Sequence, residues 1–513
     1  MKPARLKLNV VANLAGGAWM SALSLICVPL YLRYLGIEAY GLIGFFAMLT
    51  AVLALMDAGL GTAVNRGLAR LSVREDTIDR QRDLLRTLEI VYWSASLVVG
   101  AALIVLAPFI ASRWIHAQHL PPGTVENAVR LMGIVFALQF PFALYQNSLI
   151  GLQRQVLVNV IMIVTGTLRS VGAVAVLMFV SPTVEAFFLW QAGVTVLQTA
   201  AIAISAWRIV AGPSAPRFRR SILRDEWTYA SSVAASAILG VILTQCDKLL
   251  LSGLLTLEQF GYYALAGTVA AALWWLIVPV SSALFPRFVQ LIELGDHRAL
   301  VDLYHGASQI MAILVLPAGA TLALFARPII AIWTRNSAAA DGAAPIVALL
   351  VAGTCLNALA VLPAAVQSAA GWPQLMMYTN ACEAVLLIPG VIFMATHYGP
   401  RGAASIWVVM NLIYITVTAP IMHRRLLRGE FWRWLSRDVA IPLLTVIAAG
   451  VLIRVFVPLP SSRLMTLLCI GAAFAGIALA AILAAPRGRT ILLDTVRSGR
   501  RHPLLPWNAG GVS

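Results

Sequence analysis

Long apolar runs alternate with short charged segments along the whole chain. A membrane-spanning helix takes about 20 apolar residues, and reading from charge to charge marks fourteen such runs. Arg130 and Arg154, for example, bracket the fourth run, and Glu185 and Arg208 bracket the sixth. The predicted spans are residues 9–31, 41–63, 89–112, 129–151, 156–180, 185–207, 229–251, 259–284, 304–326, 343–367, 373–396, 402–422, 438–457 and 464–485. This pattern predicts an all-α polytopic membrane protein with fourteen transmembrane helices.

The composition supports a membrane protein and excludes several other classes. Of the 513 residues, 60% are hydrophobic and 11% are charged, whereas soluble proteins carry about 25% charged residues. The net charge of +16 does not indicate nucleic-acid binding, because the basic residues form short clusters between apolar runs. The chain has no P-loop and no HExxH motif, and its five cysteines lie in apolar runs without a CxxC spacing. We therefore expect no metal site, no cofactor and no enzymatic activity.

The distribution of lysine and arginine predicts the orientation. With the N-terminus placed in the cytoplasm, 27 basic residues fall on the inside and 7 on the outside. This asymmetry agrees with the positive-inside rule, so both termini are predicted to be cytoplasmic. One inside segment, residues 70–88, mixes leucines with charges of both signs. It is typical either of an amphipathic helix at the membrane interface or of a solvated linker helix.

An internal repeat appears when the chain is shifted by 220 positions. The matched pairs are Leu35 with Leu255, Glu38 with Glu258, Tyr40 with Phe260, Gly41 with Gly261, Ser148 with Ser368, and Gly151 with Gly371. The shift lays spans 1–6 over spans 7–12. An even number of spans per half makes the two halves parallel in topology, which is typical of transporters that work by alternating access.

Two segments carry a resemblance to a known family. The opening segment contains YLRYLGIEAYGLIGF and MDAGLGTAVNR, and the second half contains TQCDKLLLSGLLTLEQFGYYALAG. These segments resemble the polysaccharide flippases of the multidrug/oligosaccharidyl-lipid/polysaccharide exporter superfamily. The resemblance implies two six-helix lobes forming a V, with two further C-terminal helices. The boundaries are then 1–208 for the N-lobe, 209–228 for a cytoplasmic basic linker, 229–425 for the C-lobe, 426–485 for spans 13 and 14, and 486–513 for a cytoplasmic tail.

The same resemblance implies an activity and a location. It implies translocation of undecaprenyl-diphosphate-linked oligosaccharide, an O-antigen or exopolysaccharide repeat unit, across the bacterial inner membrane. The implied partners are this lipid-linked cargo, membrane lipid, a polysaccharide polymerase and glycosyltransferases, with no nucleic acid. Peptidoglycan-precursor flippases carry arginines inside span 1, and this chain has none between Lys7 and Arg33. That difference favours the polysaccharide group.

Basic residues within or beside the spans are candidate ligands for the diphosphate. Arg169 lies midway along span 5, with no acid near it in sequence, and a guanidinium binds phosphate oxygens in a planar fork. The alternative is an ion pair between Arg169 and a carboxylate of another helix, such as Asp57 or Glu383. The other candidates are Lys248, Arg66 and Arg33, which can equally hold helices together or flank them at the interface.

Acidic residues within the spans are candidates for ion coupling. Asp57 lies near the end of span 2, Glu383 lies within span 11, and Asp247 precedes Lys248 on span 7. Adjacent helical residues point in different directions, so one of Asp247 and Lys248 can face the cavity while the other pairs across the bundle. A carboxylate in the membrane can carry a proton or help to hold Na⁺, and the sequence does not distinguish the two ions. Amides such as Gln198 and Gln367 match sugar hydroxyls, but they equally serve hydrogen bonds between helices.

Two other functions remain as alternatives. A multidrug/cation antiporter of the same superfamily would typically have twelve spans and an acid-lined lobe. A membrane-embedded glycosyltransferase or polymerase would need a large periplasmic loop, but the longest predicted outside loops, 113–128 and 327–342, are short.

Overall fold

Helices make up almost all of the protein in the computed structural model. It describes residues 3–57, 59–73 and 77–490, and their side chains except at 3–16, 18, 21, 56, 223 and 225–239. No β-strand occurs within these ranges, which confirms the all-helical prediction. The predicted tail beyond residue 490, Lys2 and Arg74 lie outside the described residues, as do the side chains of Arg5 and Lys7.

The helices are numbered here in chain order. They are α1 Pro3–Leu53, α2 Leu60–Leu71, α3 Ile78–Phe109, α4 Pro122–Gly151, α5 Gln155–Phe179, α6 Val184–Ile209, α7 Arg220–Leu254, α8 Leu257–Ala271, α9 Trp274–Glu293, α10 His297–Leu324, α11 Ala326–Thr334, α12 Ser337–Ala369, α13 Pro373–Ile413, α14 Ala419–Leu426, α15 Phe431–Arg433, α16 Ile441–Phe456 and α17 Arg463–Ala484. A tight 3₁₀ turn covers Ala54–Asp57, and wider π turns cover Ile110–Trp114, Tyr414–Thr418 and Trp434–Ala440.

Eleven described helical stretches are long and apolar enough to cross a membrane. They are Ala22–Leu53, Ile78–Trp114, Pro122–Gly151, Gln155–Phe179, Val184–Ile209, Trp274–Glu293, His297–Leu324, Ser337–Ala369, Pro373–Leu426, Phe431–Phe456 and Arg463–Ala484. A stretch of about 20 apolar residues spans the hydrocarbon core, and in the bilayer only helices and closed barrels satisfy the backbone polar groups. The chain is therefore a multi-pass membrane protein.

Two of the longest helices contain a break at a glycine. In α1, Gly36 has φ 81° and ψ 176°, and in α13, Gly399 has φ 62° and ψ −151°. L-residues with a side chain rarely adopt such a positive φ, so glycine is needed where the chain must turn there. Both breaks fall in loops that the charge pattern predicts, between spans 1 and 2 and between spans 11 and 12.

Four predicted segments differ from the helices observed. Span 8 was predicted to run unbroken over 259–284, but α8 ends at Ala271 and α9 begins at Trp274. Span 2 was predicted to run unbroken over 41–63, but α1 ends at Leu53 and α2 begins at Leu60, because the chain turns at Ala54–Asp57 and Gly59 has φ 99°. Residues 78–88 are not a separate interfacial helix, because they form the first turns of α3. The predicted outside loop 327–342 contains the short helix α11.

The helix bounds repeat at the same shift of 220 that the sequence shows. The bounds of α4 correspond to those of α12 within a few residues, and α5 corresponds to the part of α13 that precedes Gly399. The break at Gly36 corresponds to the break between α7 and α8. The repeat therefore extends well beyond the six residue pairs that first indicate it.

The chain divides into two compact units, Met1–Gly261 and Tyr262–Ser513. In the first unit, α3, α4 and α6 pack around an aromatic core in which Phe140 stacks on Tyr92 at 5.0 Å between ring centroids. In the second unit, α10 packs against α9, α12, α16 and α17. The predicted lobe boundaries at 208 and 229 remain a prediction.

Candidate functional site

Arg169 of α5 contacts two neutral side chains of α6. One amino group of its guanidinium, Nη2, donates to Gln198 Oε1 at 2.6 Å and to Thr195 Oγ1 at 3.2 Å. Thr165, Gly166 and Ala173 are buried, and they lie three or four residues from Arg169 on the same helix face. Helix α5 packs against both α1 and α6, and Met20 of α1 lies against Gly166.

The contacts of Arg169 leave its positive charge uncompensated. The predicted alternative was an ion pair with Asp57 or Glu383, but no carboxylate in the described part of the chain pairs with Arg169. A guanidinium has five N–H donors. The two recorded bonds therefore orient the group through neutral oxygens and leave donors available.

Aromatic side chains hold the nearest neighbours of Arg169. Trp19 of α1 donates from its indole to Thr167 Oγ1 at 2.8 Å, and Trp190 of α6 donates to the Leu168 carbonyl at 3.1 Å. Tyr31 of α1 donates to the Ser170 carbonyl at 3.1 Å. These bonds fall within two residues of Arg169, so α1 and α6 together position this part of α5. Sequence reasoning found Arg169 and Gln198 but assigned no role to Trp19 or Tyr31.

The two adjacent charges on α7 lie together. Lys248 Nζ is 3.6 Å from Asp247 Oδ1 and donates to the Thr244 carbonyl at 2.7 Å. The flexible lysine stem folds back along its own helix and brings the two charges together, and the expectation that one of them faces a cavity stays a prediction. Lys248 is thereby partly neutralised, unlike Arg169.

The two flanking arginines are exposed on different helices. Arg33 of α1 lies 5.7 Å from the ring centroid of Tyr34, a cation–π contact. Arg66 is exposed on α2. Either location suits a first encounter with an anion and equally suits a charge that flanks a membrane helix.

Asp57 occupies the turn between α1 and α2. Its carboxylate accepts a hydrogen bond from the Tyr92 hydroxyl and one from the backbone N–H of Gly61 in the first turn of α2. A methyl group at Gly61 would lie 2.4 Å from Asn147 Nδ2 and 2.8 Å from Asp57 Oδ2, so the amide and the carboxylate are neighbours. Asp57 therefore caps a helix N-terminus, where a negative charge is favourable.

Glu383 is half-buried on α13 and differs from Asp57 in its contacts. Within the described residues, its carboxylate makes no recorded hydrogen bond and no ion pair. An unsupported carboxylate in a membrane helix is costly when charged. This places Glu383 among the groups best suited to take up a cation or a proton.

Sequence reasoning assigned no role to two buried acids of the first unit, Glu38 and Glu89. Glu38 accepts hydrogen bonds from the backbone N–H groups of Gln118, His119 and Leu120 at 2.6, 2.9 and 2.9 Å. Glu89 accepts from Tyr145, Trp207 and Arg86, the latter two at 3.0 and 2.7 Å. The repeat pairs Glu38 with Glu258, and this match is the sequence feature that could have indicated a role for Glu38. Glu89 has no such feature, because its partners Tyr145 and Trp207 lie far away in the sequence.

The second unit contains a further buried group that the sequence did not reveal. His305 of α10 contacts Asp438 through Nδ1 and Glu430 through Nε2, the latter at 2.9 Å. Gln309 donates to Asp438 at 2.7 Å and accepts from the backbone N–H of Arg487 at 2.9 Å. These bonds join α10 to the segment before α16, which holds Glu430 and Asp438, and to Arg487, which follows α17. No cluster of three metal-ligating side chains suited to a metal ion occurs in the described residues.

Comparisons with known proteins agree with this architecture. The chain is 22% identical over 412 residues to a putative O-antigen transporter of Shigella flexneri, covering 79% of this chain and 94% of the relative. The structure of lipid II flippase MurJ in an inward closed conformation matches with a TM-score of 0.69 at 13% identity, covering 96% of this chain and all of that one.

Multidrug transporters have a similar fold. An inward-facing multidrug resistance MATE family transporter of the MOP superfamily matches with a TM-score of 0.61 at 16% identity, covering 80% of this chain and 96% of that one. These relatives are named as transporters and flippases, not as enzymes. The family described as polysaccharide biosynthesis protein matches residues 31–335, which confirms the predicted resemblance: the chain belongs to the polysaccharide biosynthesis protein family.

Proposed function

We propose that the protein is a flippase for undecaprenyl-diphosphate-linked oligosaccharide, moving an O-antigen or exopolysaccharide repeat unit across the bacterial inner membrane by alternating access. The observation that most directly supports this proposal is that Arg169, a cation in a membrane span, has neutral oxygens as its hydrogen-bond partners in the described structure. A diphosphate compensates such a charge, and guanidinium matches phosphate in geometry. The named O-antigen transporter and the family support the same cargo.

The proposed topology has fourteen spans with both termini in the cytoplasm. Dividing α1 at Gly36 and α13 at Gly399 adds two spans to the eleven described stretches, and α7 supplies one more. The split of 27 inside and 7 outside basic residues supports the orientation. Two six-helix lobes and two C-terminal helices complete the proposal.

In this proposal Lys248, Arg66 and Arg33 assist Arg169 along the path of the diphosphate. Asp57, Glu383 and Asp247 are the candidates for H⁺ or Na⁺ coupling. Glu383 is the strongest of the three because no recorded bond stabilises its charge in the described structure, whereas Asp57 and Asp247 have partners. A polysaccharide polymerase and glycosyltransferases are the proposed partners, since the cargo must be assembled before transport and consumed after it.

A proteoliposome flipping assay tests the function. Undecaprenyl-diphosphate-linked oligosaccharide is placed in one leaflet, and a membrane-impermeant glycosidase reports its arrival in the other. We expect transport by the wild type, a loss of at least about tenfold in Arg169→Ala, and partial retention in Arg169→Lys. Arg327→Ala is the matched control, because Arg327 is exposed and donates to Asp341 at 2.6 Å.

The outcomes separate the competing functions. No transport of a lipid-linked sugar, together with efflux of a cationic dye, would identify a multidrug/cation antiporter. Wild-type transport that survives Arg169→Ala would retain the flippase and make Arg169 a structural residue. Chemical extension of the sugar chain by the purified protein would indicate a glycosyltransferase or polymerase instead.

A further inference from the structure

A cleft of about 510 Å³ opens between α9 and α12 of the second unit. Its lining residues are Ser281, Ser282, Phe285, Val361, Ala364, Ala365 and Ser368. The volume lies within the range of small-molecule sites, about 300–1,000 Å³. No charged side chain is among the lining residues, so the cleft does not suit the diphosphate.

Small side chains on one face of α12 create the cleft. Val361, Ala364, Ala365 and Ser368 follow the spacing of residues that share a helix face. The repeat shows what closes the same place elsewhere: 220 positions earlier, Ala364 and Ala365 correspond to Leu144 and Tyr145. Both are buried in the core of the first unit, at 0% and 2% exposure. The second repeat therefore lacks the two side chains that fill the equivalent position in the first.

The opposite wall, on α9, presents polar groups without partners. Neither Ser281 nor Ser282 makes a recorded hydrogen bond in the described structure, although serines in these helices usually donate to their own backbone. Ser368 across the cleft, for example, donates to the Ala364 carbonyl at 2.9 Å. One helical turn further on, the ring of Phe285 is 40% exposed. Two available hydroxyls and an aromatic face thus border the same opening.

We propose that this cleft is a subsite for an uncharged sugar residue of the cargo. Sugar hydroxyls exchange hydrogen bonds with Ser281 and Ser282, and the apolar C–H face of a sugar ring packs on Phe285. A polyprenyl chain would gain nothing from the two free hydroxyls. Ser281 and Phe285 precede Arg287, which lies on α9 within the segment that the charge pattern places on the cytoplasmic side, where the cargo begins. The proposal rests on the proposed flippase function and assigns the sugar a position separate from Arg169.

The first experiment restores the side chain of the other repeat. Ala365→Tyr fills the cleft, and we expect transport of undecaprenyl-diphosphate-linked oligosaccharide to fall by about tenfold or more, mainly through a higher KM. Ala352→Tyr is the matched control, because Ala352 is exposed on the same helix. Unchanged KM and transport in a folded Ala365→Tyr protein would overturn the subsite.

The second experiment does not depend on transport or on the tyrosine variant folding. In a variant with its five native cysteines replaced, Ser282→Cys is labelled with a charged, water-soluble thiosulfonate reagent. We expect rapid labelling, slowed about tenfold by a saturating excess of undecaprenyl-diphosphate-linked oligosaccharide and unaffected by undecaprenyl diphosphate, which lacks only the sugar. Equal protection by the two lipids would assign the cleft to the polyprenyl chain and overturn the proposal.

Two further results separate failure of the subsite from failure of the function. No labelling of the Ser282→Cys variant would show a dry cleft, and no protection by the oligosaccharide lipid would show that the sugar binds elsewhere. Either result overturns the subsite while wild-type flipping still supports the flippase. A wild type that does not flip the lipid-linked oligosaccharide would overturn the flippase function. The labelling result would then show by itself whether the cleft binds the sugar.

Discussion

Gly41 and Gly261, which are 220 positions apart, make the same contact with reciprocal partners. A methyl group at Gly41 would lie 2.6 Å from the carbonyl oxygen of Leu257, and one at Gly261 would lie 2.5 Å from that of Ile37. Leu257 and Ile37 are themselves related by the same shift. The sequence repeat is thus also a symmetric contact, and it lies within the first unit. Only glycine permits so close a backbone approach.

Alanine at either glycine is expected to destabilise the protein. The added methyl meets a backbone carbonyl, which cannot rotate away, so Gly41→Ala and Gly261→Ala should each cost about 1–3 kcal/mol. Thermal unfolding in detergent measures the effect. Gly193→Ala is the control, because nothing lies within 4 Å of a methyl group there. Equal unfolding temperatures for all three variants would contradict the close contact.

The partners of Arg169 are expected to matter for transport more than for folding. Gln198→Ala removes the oxygen at 2.6 Å from the guanidinium and leaves the charge without its orienting partner. We predict a loss of about tenfold in flipping with little change in unfolding temperature. Gln198→Glu should also reduce flipping, because the carboxylate competes with the diphosphate for the guanidinium. Full activity in Gln198→Glu would argue against an anion at Arg169.

Glu38 is expected to hold the loop at residues 118–120 through its three backbone hydrogen bonds. Bonds to a charged group contribute about 1.5–3 kcal/mol each, and Glu38→Ala removes both carboxylate oxygens and so all three bonds. We predict much faster hydrogen exchange at the amides of Gln118, His119 and Leu120. Glu126→Ala provides the comparison, since among the described residues Glu126 pairs with Arg130 on its own helix. Protection that persists in Glu38→Ala would mean that other contacts hold the loop.

Glu430 is expected to add stability that acid removes. Burial raises the pKa of Glu430. The hydrogen bond from His305 and the charges of His305 and Arg433 lower the pKa by more than burial raises it, so it lies below the usual 4.5. A lowered carboxyl pKa contributes stability that is complete above the unfolded-state value and is lost as the pH falls through the folded-state value. The difference in unfolding temperature between wild type and Glu430→Gln should therefore shrink below pH 4.5. A difference that does not change with pH would show that the charge is not involved.

Glu383 is expected to couple transport to an ion gradient. Glu383→Gln should abolish stimulation of flipping by an imposed H⁺ or Na⁺ gradient while leaving slow flipping in the absence of a gradient. Separate pH and Na⁺ gradients across proteoliposomes identify the ion, and Glu126→Gln is the control, since Glu126 pairs with Arg130 near the start of α4. Undiminished stimulation in Glu383→Gln would move the coupling role to Asp57 or Asp247.

Much of the fold is predictable from the order of apolar and charged residues. The last span was predicted at 464–485, and α17 covers Arg463–Ala484. The fifth was predicted at 156–180, and α5 covers Gln155–Phe179. Both are mainly apolar and end where polar or charged residues begin, so local hydropathy alone marks them. The family resemblance also follows from short motifs near the two related helix breaks.

Local pattern fails where distant residues decide the structure. The turn at Ala54–Asp57 lies inside an apolar run, and Asp57 is stabilised there by Tyr92. Residues 78–88 look like an interfacial helix, but Asp83 on this segment binds Arg219 and the backbone N–H of Arg217. In both cases the partner is more than 30 residues away, and no periodicity signals it.

Hydropathy is therefore sufficient for the class of protein and for most of its helices, because lipid forces each backbone segment to satisfy its own hydrogen bonds. Short motifs are sufficient for the family resemblance. The sequence alone does not determine which side chains contact each other. That Arg169 meets neutral oxygens rather than a carboxylate, and that alanines open a cleft where Leu144 and Tyr145 fill the other repeat, depends on which helix faces pack together. Those faces are chosen by the packing of the whole chain, since within the membrane one apolar surface resembles another.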